Sequence, residues 1–592
     1  MKKFGIILAA VLLVAAAALH FMQGRKGAVS ADEVAAYVPQ DALIMSSQTN
    51  LKQVSDTFTN SPLGRFFAKE TMHAIMEELA AAPETIQAYD QWYDSVANTM
   101  KNPLFRTVFG DDMTVAVLPP NTDLLKENPE QAFRRALLVY ATTSTASAAE
   151  ILGSLAKGVT IEKEQTDGLE LTKIQLNSGD GGKETIYGYN AAGVVLLALD
   201  KAPVIAGVQA READNSLKAQ TAYQEANDFW QRESQATIYS RNYFNIAGLA
   251  ALLPHLEQSE GMQEAVAYLQ GLDYGYDITV RTPQGLHNKA RVKLQHEQLH
   301  DLFKTMVDES AAGVTVPLSL VNDKTLFFQW GYSFKPEALL KLTAQADPEG
   351  YAAMQQEAQE LLGIPIEDAA SSFGPRYGLI LNDIVETGIF PLPDLAFFTN
   401  VRNRNHVQAL ATALNQQVAV YGLTGEQQQL TNNTLLFSWP VMTEIGLVPA
   451  LGLNDSLAFL GTMQGSMQPL LVDQKQPGEA LPADITAQLG PDLSSKLGKA
   501  NGGVFLLRSA RLAEKSQSTL DLFNSLAGPS IGVNFNRLGQ EVLKLMQATE
   551  LVAGTTNINK DAIDWDTLWI PVAATPAAAA PVQPGTKGQQ VQ

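Results

Sequence analysis

The sequence contains one motif whose residue types and spacing match a known catalytic chemistry. His296, Glu297 and His300 form an H-E-x-x-H pattern. On an α-helix, histidines four residues apart share a face and can bind one zinc ion, while the glutamate activates a metal-bound water. One alternative function is therefore a zinc metallopeptidase, with Glu297 as the catalytic residue and His296 and His300 as metal ligands.

The sequence around this motif argues against the zinc alternative. Asp301 follows the second histidine, where helices of zinc peptidases usually have an uncharged residue. No G-x-x-H continuation follows, which excludes a metzincin, and the third ligand would have to be Glu309 or a distant carboxylate. Because so short a motif recurs by chance, the preferred interpretation is a solvated helix that connects two parts of the chain, with no cofactor and no metal.

Two further polar motifs are interpreted as turns. Gly528–Gly532 matches G-x-S-x-G, but a nucleophile elbow follows a strand, and residues 519–526 predict a helix. No histidine follows His406, so the order Ser, Asp, His of a hydrolase cannot be met. Asp111 and Asp112 are typical of a solvated turn at the start of a strand. These patterns favour a protein without catalytic activity and leave the question open.

Two rows of aromatic residues are the candidates for an apolar groove. Tyr274 and Tyr276 alternate with other residues, and so do four later aromatic residues, Phe328, Trp330, Tyr332 and Phe334. Strand geometry places the members of each row on one face. The preferred interpretation is hydrophobic core, since aromatic side chains dominate core burial. The alternative is a groove for a lipid or an extended peptide, which predicts a lipid or apolar-ligand carrier.

Composition excludes several classes of function. The 592-residue chain has 42 Lys and Arg against 62 Asp and Glu, a formal net charge of −20. Nucleic-acid partners and polybasic lipid binding both need clustered positive charge, so neither is expected. The chain has no cysteine. This excludes thiol nucleophiles, disulfides, cysteine zinc sites and iron–sulfur clusters.

The stretch Phe4–Met22 predicts a membrane segment. It has no polar residue as far as Leu19, and as a helix it would span roughly 24–28 Å, close to the ~30 Å hydrocarbon core. The preferred interpretation is an uncleaved signal anchor, because the residues from Leu19 to Met22 are bulky where cleavage would be expected. The alternative is a cleaved signal peptide. Both place the rest of the chain in the periplasm or outside the cell.

The order of predicted elements indicates an α+β fold with a mainly antiparallel sheet. Short turns join many strands, and a similar order of elements recurs after about residue 320. Phe109-Gly110 corresponds to Phe373-Gly374, an offset of 373 − 109 = 264 residues. We expect two tandem, diverged copies of one module. The predicted organisation is an anchor and linker at 1–30, module one at 31–307, module two at 308–572, and a disordered Ala/Pro/Gln-rich tail at 573–592.

Several local patterns resemble a known family. The chain has an anchor, the opening Tyr37–Leu43 (YVPQDAL), a G-D-D segment before an apolar strand, and the IYGY strand at 186–189. Together these resemble a bacterial family of membrane-anchored extracytoplasmic proteins of unknown function. The resemblance covers most of residues 31–573. It implies a cell-envelope location and supplies no catalytic residues.

These observations predict a non-enzymatic, membrane-anchored envelope protein that binds or scaffolds an extracytoplasmic macromolecule or an apolar ligand. The expected partners are the membrane, through Phe4–Met22, and an unidentified envelope protein, polymer or lipid.

N-terminal sequencing of the protein from isolated membranes tests the anchor. We expect an uncleaved chain that still contains Phe4–Met22, because its small-residue site at Ala28 and Ser30 lies far from the apolar stretch. A mature chain that begins near Ala31 would contradict this expectation.

Overall fold

The computed structural model describes residues 31–49, 51–101, 112–142, 159–177, 183–191, 194–256, 266–310, 316–332, 336–420, 422–431, 433–472, 481–531 and 535–573. The predicted anchor and residues 574–592 of the predicted tail lie outside these ranges. Within them, no helix is long and apolar enough to cross a membrane.

The described residues contain twenty strands, and all of them belong to one sheet. The strands are β1 (Ile44–Thr49), β2 (Asp112–Val117), β3 (Leu137–Thr142), β4 (Val159–Thr166), β5 (Leu169–Asn177), β6 (Lys183–Ala191), β7 (Val194–Ala198), β8 (Thr237–Asn245), β9 (Leu272–Arg281), β10 (Leu286–Leu294), β11 (Phe327–Tyr332), β12 (Phe373–Glu386), β13 (Pro391–Val401), β14 (Glu426–Thr431), β15 (Thr434–Ser438), β16 (Ala450–Leu453), β17 (Leu457–Gly461), β18 (Gly503–Leu507), β19 (Thr549–Ile558) and β20 (Ala562–Pro571).

The helices connect these strands. They are α1 (Ala31–Ala35), α2 (Leu51–Phe58), α3 (Pro62–Phe66), α4 (Lys69–Glu78), α5 (Pro83–Lys101), α6 (Thr122–Glu127), α7 (Pro129–Arg135), α8 (Lys201–Glu212), α9 (Thr221–Gln231), α10 (Ile246–Leu256), α11 (Asp301–Ser310), α12 (Pro336–Ala346), α13 (Pro348–Leu362), α14 (Ile366–Ser371), α15 (Arg404–Val420), α16 (Gln464–Val472), α17 (Ala483–Leu497), α18 (Ser509–Lys515), α19 (Gln517–Ile531) and α20 (Asn536–Gln547). The predicted α+β class with a large antiparallel sheet is confirmed.

The strand order is the same on both sides of the β10–β20 pair. Strands of the first half of the chain, β1–β10, lie in the order β4-β5-β6-β7-β3-β2-β1-β8-β9-β10. Those of the second half, β11–β20, continue as β20-β19-β18-β11-β12-β13-β17-β16-β15-β14. Adding ten to each strand number of the first half gives the order of the second half reversed. Every pairing is antiparallel.

Both edge strands of the sheet are polar. The edge strand β4 reads VTIEKEQT, and β14 at the opposite edge reads EQQQLT with five of its six residues exposed. Charged and polar edges discourage strand addition from another chain. The sheet therefore ends at sequences that do not favour edge-to-edge association.

One face of the sheet carries the two largest hydrophobic cores. In the first half, α8 and α9 pack on this face through side chains such as Val204, Tyr223 and Trp230. In the second half, α16 and α17 cover it through Leu470, Ile485 and others. These helices bury their apolar stripes against the sheet, which satisfies the basic requirement of a two-layer fold.

Aromatic stacking organises the second core. The ring of Phe398 stacks on Trp330 at 5.2 Å between centroids and on Phe459 at 5.6 Å. Gly378 lies opposite Phe398 on the neighbouring strand, and a Cβ at Gly378 would come within 2.2 Å of that ring. The glycine therefore provides the space in which Phe398 lies flat over the sheet.

Replacing Gly378 with alanine tests this packing. We expect Gly378→Ala to lower the free energy of unfolding by about 1–3 kcal/mol, because Phe398 is buried and cannot move away without disturbing its neighbours. The measurement is equilibrium denaturation in urea. Gly465→Ala in α16 is the control, since a Cβ there meets no atom within 4 Å and alanine favours a helix. Equal stability of the two variants would contradict this account.

Candidate functional site

The H-E-x-x-H motif does not form a continuous α-helix. His296–Gln298 is a short 3₁₀ turn, Leu299 is extended, and α11 begins only at Asp301. The helix predicted through the motif is therefore wrong, and His296 and His300 do not share a helical face. The physical reason is tertiary packing: Leu299 is buried in a small hydrophobic cluster, and its backbone lies directly against Gly271.

Each polar residue of the motif has another partner. His296 Nε2 lies 2.8 Å from Asp308 Oδ1, and the His300 ring packs on Tyr268 at 4.6 Å. Glu297 is 87% exposed. Hydrogen bonds from Lys304 and His296 lower the pKa of Glu297. The described part of the chain has no group of three or more His, Cys, Asp or Glu residues that could hold a metal. The geometry gives the zinc alternative no support.

The G-x-S-x-G motif also differs from its prediction. Residues Gly528–Ile531 form the last turn of α19, so the predicted free-standing turn is wrong. The element that leads into Ser530 is a helix, as expected, and not the strand that a nucleophile elbow needs.

The predicted groove residues lie mostly in the core. Phe328, Trp330 and Tyr276 are at most 2% exposed, and Tyr274 stacks on Tyr276 at 6.2 Å. The hydroxyl of Tyr332 donates a hydrogen bond to Glu309 Oε2 at 2.9 Å, and Phe334 lies outside the described residues. These rows therefore fill the helix-covered side of the sheet instead of lining an open groove.

The junction between β10 and β20 carries a row of ion pairs, which we call the ionic seam. Its members on these strands are His287, Lys289, Arg291, Asp564 and Asp566. Arg291 donates to both carboxylate oxygens of Asp564, at 2.5 and 3.0 Å. Lys289 donates a hydrogen bond at 2.5 Å to Glu233, which lies just after the end of α9. The seam therefore connects β10 and β20 to each other and to the helices that cover the first half of the sheet.

Asp566 is the centre of the ionic seam. It accepts hydrogen bonds from His287 and, at 3.0 Å, from Lys496 on α17. Burial alone would raise the pKa of Asp566, but the hydrogen bonds and charges of His287 and Lys496 outweigh it and hold the pKa below the ordinary value of 3.8. The folded state therefore favours the ionised carboxylate, as expected for a structural ion pair.

The opposite face of the sheet is polar near the middle of the first half. Ser46 donates to Asn242 at 2.6 Å, and Asn242 donates to Asp277 at 2.9 Å. Burial raises the pKa of Asp277 to about 6, against hydrogen bonds from Asn242 and Asn288 that lower it. The side-chain hydrogen-bond partners of this carboxylate are the amides of Asn242 and Asn288, so the cluster is a hydrogen-bonded polar network.

On the same face, the second half exposes large apolar side chains. Phe397 is 56% and Leu460 is 49% exposed, and the two residues lie directly opposite each other on β13 and β17. Leu379 on β12 continues the row, and Leu395 lies two residues from Phe397 on the same face. We call these four residues the apolar patch. The apolar patch was not predicted from the sequence, although the consecutive Phe397 and Phe398 must point to opposite faces of a strand.

A cavity of about 440 Å³ lies where the two halves of the chain meet through helices. Its lining residues are Thr59, Pro62, Arg65, Ala68, Thr71, Arg537, Glu541, Lys544 and Leu545. The first five belong to α3, α4 and the residues that flank α3, whereas the last four belong to α20. Glu541 is 7% exposed and pairs with Arg537 at 3.3 Å and Lys544 at 2.9 Å. No local sequence pattern predicts this site, because its two sides are more than 460 residues apart in the chain.

Comparisons with known proteins assign no family. No family model matches the sequence, and no curated protein matches it. Two solved structures, crystal forms I and III of TP0453, are similar at 8% and 7% sequence identity, with TM-scores of 0.22 and 0.23. The matches cover 49% and 48% of this chain and 89% and 88% of those chains. Likeness at this level supports no conclusion about fold or function.

Replacing Asp566 tests the ionic seam. We expect Asp566→Asn to cost about 1–3 kcal/mol of unfolding free energy at pH 7, because charge-assisted hydrogen bonds from His287 and Lys496 are lost. Since the folded-state pKa is lowered, this contribution is complete above pH 3.8 and disappears as the pH falls through the lowered value. The difference in unfolding free energy between wild type and Asp566→Asn should therefore become smaller below pH 3.8.

Urea denaturation at a series of pH values provides the measurement. Asp228→Asn, at an exposed position on α9, is the matched control and should leave stability within about 0.5 kcal/mol of wild type. If wild type and Asp566→Asn have equal unfolding free energies at pH 7, or if their difference grows below pH 3.8, Asp566 does not stabilise the junction as an ion.

Proposed function

We propose that this protein is a non-enzymatic, membrane-anchored envelope protein that binds a macromolecular partner through the apolar patch. The observation that carries this proposal is the pair of neighbouring exposed side chains Phe397 and Leu460 on the open face of the sheet. Exposed contiguous apolar surface on a folded protein often marks an interaction site. Anchoring rests on the sequence of Phe4–Met22, and the periplasmic location rests on the same segment.

A macromolecular partner fits this surface better than a small apolar ligand. Small ligands bind in concave pockets that bury most of their surface. The apolar patch lies on the outward face of sheet strands, and the aromatic rows that could have lined a groove are buried. A broad sheet face suits a partner that brings its own complementary surface.

The symmetric strand order supports a second part of the proposal, that the protein consists of two tandem, diverged α+β modules near residues 31–307 and 308–572. Both halves pass through the same ten positions in the same order. The offset between the Phe109 and Phe373 segments agrees with this arrangement. The exposed Phe397, on which the binding proposal rests, belongs to the second module. We therefore propose that the two modules have different binding roles.

Site-specific photo-crosslinking in cells tests the binding proposal. A photoreactive amino acid replaces Phe397, and the control position is Val420, which is 78% exposed at the end of α15. We expect one discrete protein or polymer adduct at position 397 and none at 420, because only the apolar patch is predicted to bind. The double variant Phe397→Ser, Leu460→Ser should abolish co-purification of that partner, whereas Val420→Ser should retain it.

Three results would contradict the proposal. These are equal labelling at both positions, adducts with lipid alone at position 397, and partner recovery that the double variant leaves unchanged. Circular dichroism and urea denaturation of the double variant confirm that its fold is intact.

A further inference from the structure

The cavity between α3, α4 and α20 is more basic than the protein that contains it. Three of its lining side chains, Arg65, Arg537 and Lys544, are positive, and only Glu541 is negative. The whole chain has a net charge of −20. These cations are accessible to solvent, with 47% of the Arg537 side chain and 60% of the Lys544 side chain exposed, and a pocket that concentrates positive charge attracts anions.

The geometry places these cations so that each can reach the cavity. Glu541 is buried and pairs with both Arg537 and Lys544, which lie on either side of it and about two turns apart along α20. Arg65 lies across the cavity on α3, where one guanidinium N–H donates to the carbonyl oxygen of Asn60 at 2.5 Å. A guanidinium has five N–H donors, so most of the donor capacity of Arg65 is not used by that bond.

The remaining lining residues complete an anion site. Thr59 and Thr71 contribute hydroxyl groups, and Pro62, Ala68 and Leu545 contribute apolar surface. A volume of about 440 Å³ lies within the range of pockets that hold small organic ligands. Arginine forks match the oxygen geometry of phosphate, and lysine adds a compact positive charge. One carboxylate among three cations excludes a metal-ion site of the calcium or magnesium type.

We propose that this cavity binds a phosphate ester, with its phosphate between Arg65 and the Arg537–Lys544 pair and its organic part against Leu545 and Pro62. This inference is independent of the apolar patch and of its partner. Because α3 and α4 belong to the first half of the chain and α20 to the second, a bound ligand would contact both halves. The backbone N–H of Arg537 donates a hydrogen bond to Glu78 on α4 at 2.6 Å, so α4 and α20 are in contact without a ligand.

Isothermal titration calorimetry of the purified full chain tests this inference. The probes are inorganic phosphate and glycerol 3-phosphate as soluble ligands. Glycerophosphoglycerol, the soluble headgroup of phosphatidylglycerol, distinguishes a lipid headgroup as the source of the phosphate, because the apolar stretch Phe4–Met22 would itself carry the full chain into vesicles. We expect glycerol 3-phosphate to bind, and Arg65→Gln and Arg537→Gln each to weaken its binding at least about tenfold.

Matched variants separate charge recognition from damage to the fold. Lys126→Gln removes an exposed positive charge on α6 and should leave binding unchanged. Glu541→Gln should tighten binding, because it removes the one negative charge of the cavity, and a purely structural role for Glu541 does not predict this direction. Circular dichroism of each variant confirms folding, and Lys544→Gln serves as a replacement for any variant that does not fold.

The inference is overturned if wild-type protein binds none of inorganic phosphate, glycerol 3-phosphate and glycerophosphoglycerol. It is also overturned if Lys126→Gln weakens binding as much as Arg65→Gln does, since binding would then follow net charge. Binding of glycerophosphoglycerol without binding of glycerol 3-phosphate, lost in Arg65→Gln, supports the site and assigns it to a lipid headgroup. Crosslinking at Phe397 is unaffected by any of these outcomes, so the two proposals fail separately.

Discussion

The antiparallel pairing of β10 with β20 is the interaction on which the rest of this structure depends. It joins Leu286–Lys293 to Ala562–Trp569 in continuous register and makes one sheet from two groups of ten strands. On the helix-covered face, β10 and β20 carry the ion pairs of the seam, whereas the aliphatic residues of the two main cores lie on either side of this row. Half-buried ion pairs contribute modest stability but specify register, because a slip would leave each charge without its partner.

The continuous sheet gives the molecule two different faces. One face carries both main cores under α8, α9, α16 and α17, which closes it to ligands. The other face has a polar network around Asp277 in the first half and the exposed Phe397 and Leu460 in the second. The surfaces proposed to bind are the exposed Phe397 and Leu460 on this second face and the helical contact between the halves, where the basic cavity lies.

Local sequence pattern predicted the elements well and their environments less well. The sequence predicts strands at Leu272–Arg281 and Leu286–Leu294, joined by a turn at Thr282–Gly285, and β9 and β10 have these bounds. The helix predicted through the H-E-x-x-H motif is wrong, because Leu299 packs against Gly271 and interrupts it. The exposure of Phe397 could not be predicted, since a strand sequence does not say which of its faces the helices will cover. The basic cavity depends on residues from opposite parts of the chain, and no local signal connects them.

Amide hydrogen exchange measured by mass spectrometry tests the central claim, that the two halves form one sheet through β10 and β20. The account predicts that peptides covering 286–294 and 562–571 exchange as slowly as those covering the internal strands β11 and β12, because ladder hydrogen bonds protect both sides of each junction strand. Exchange of these two peptides as fast as that of exposed loops would contradict the claim and would show that the halves separate in solution.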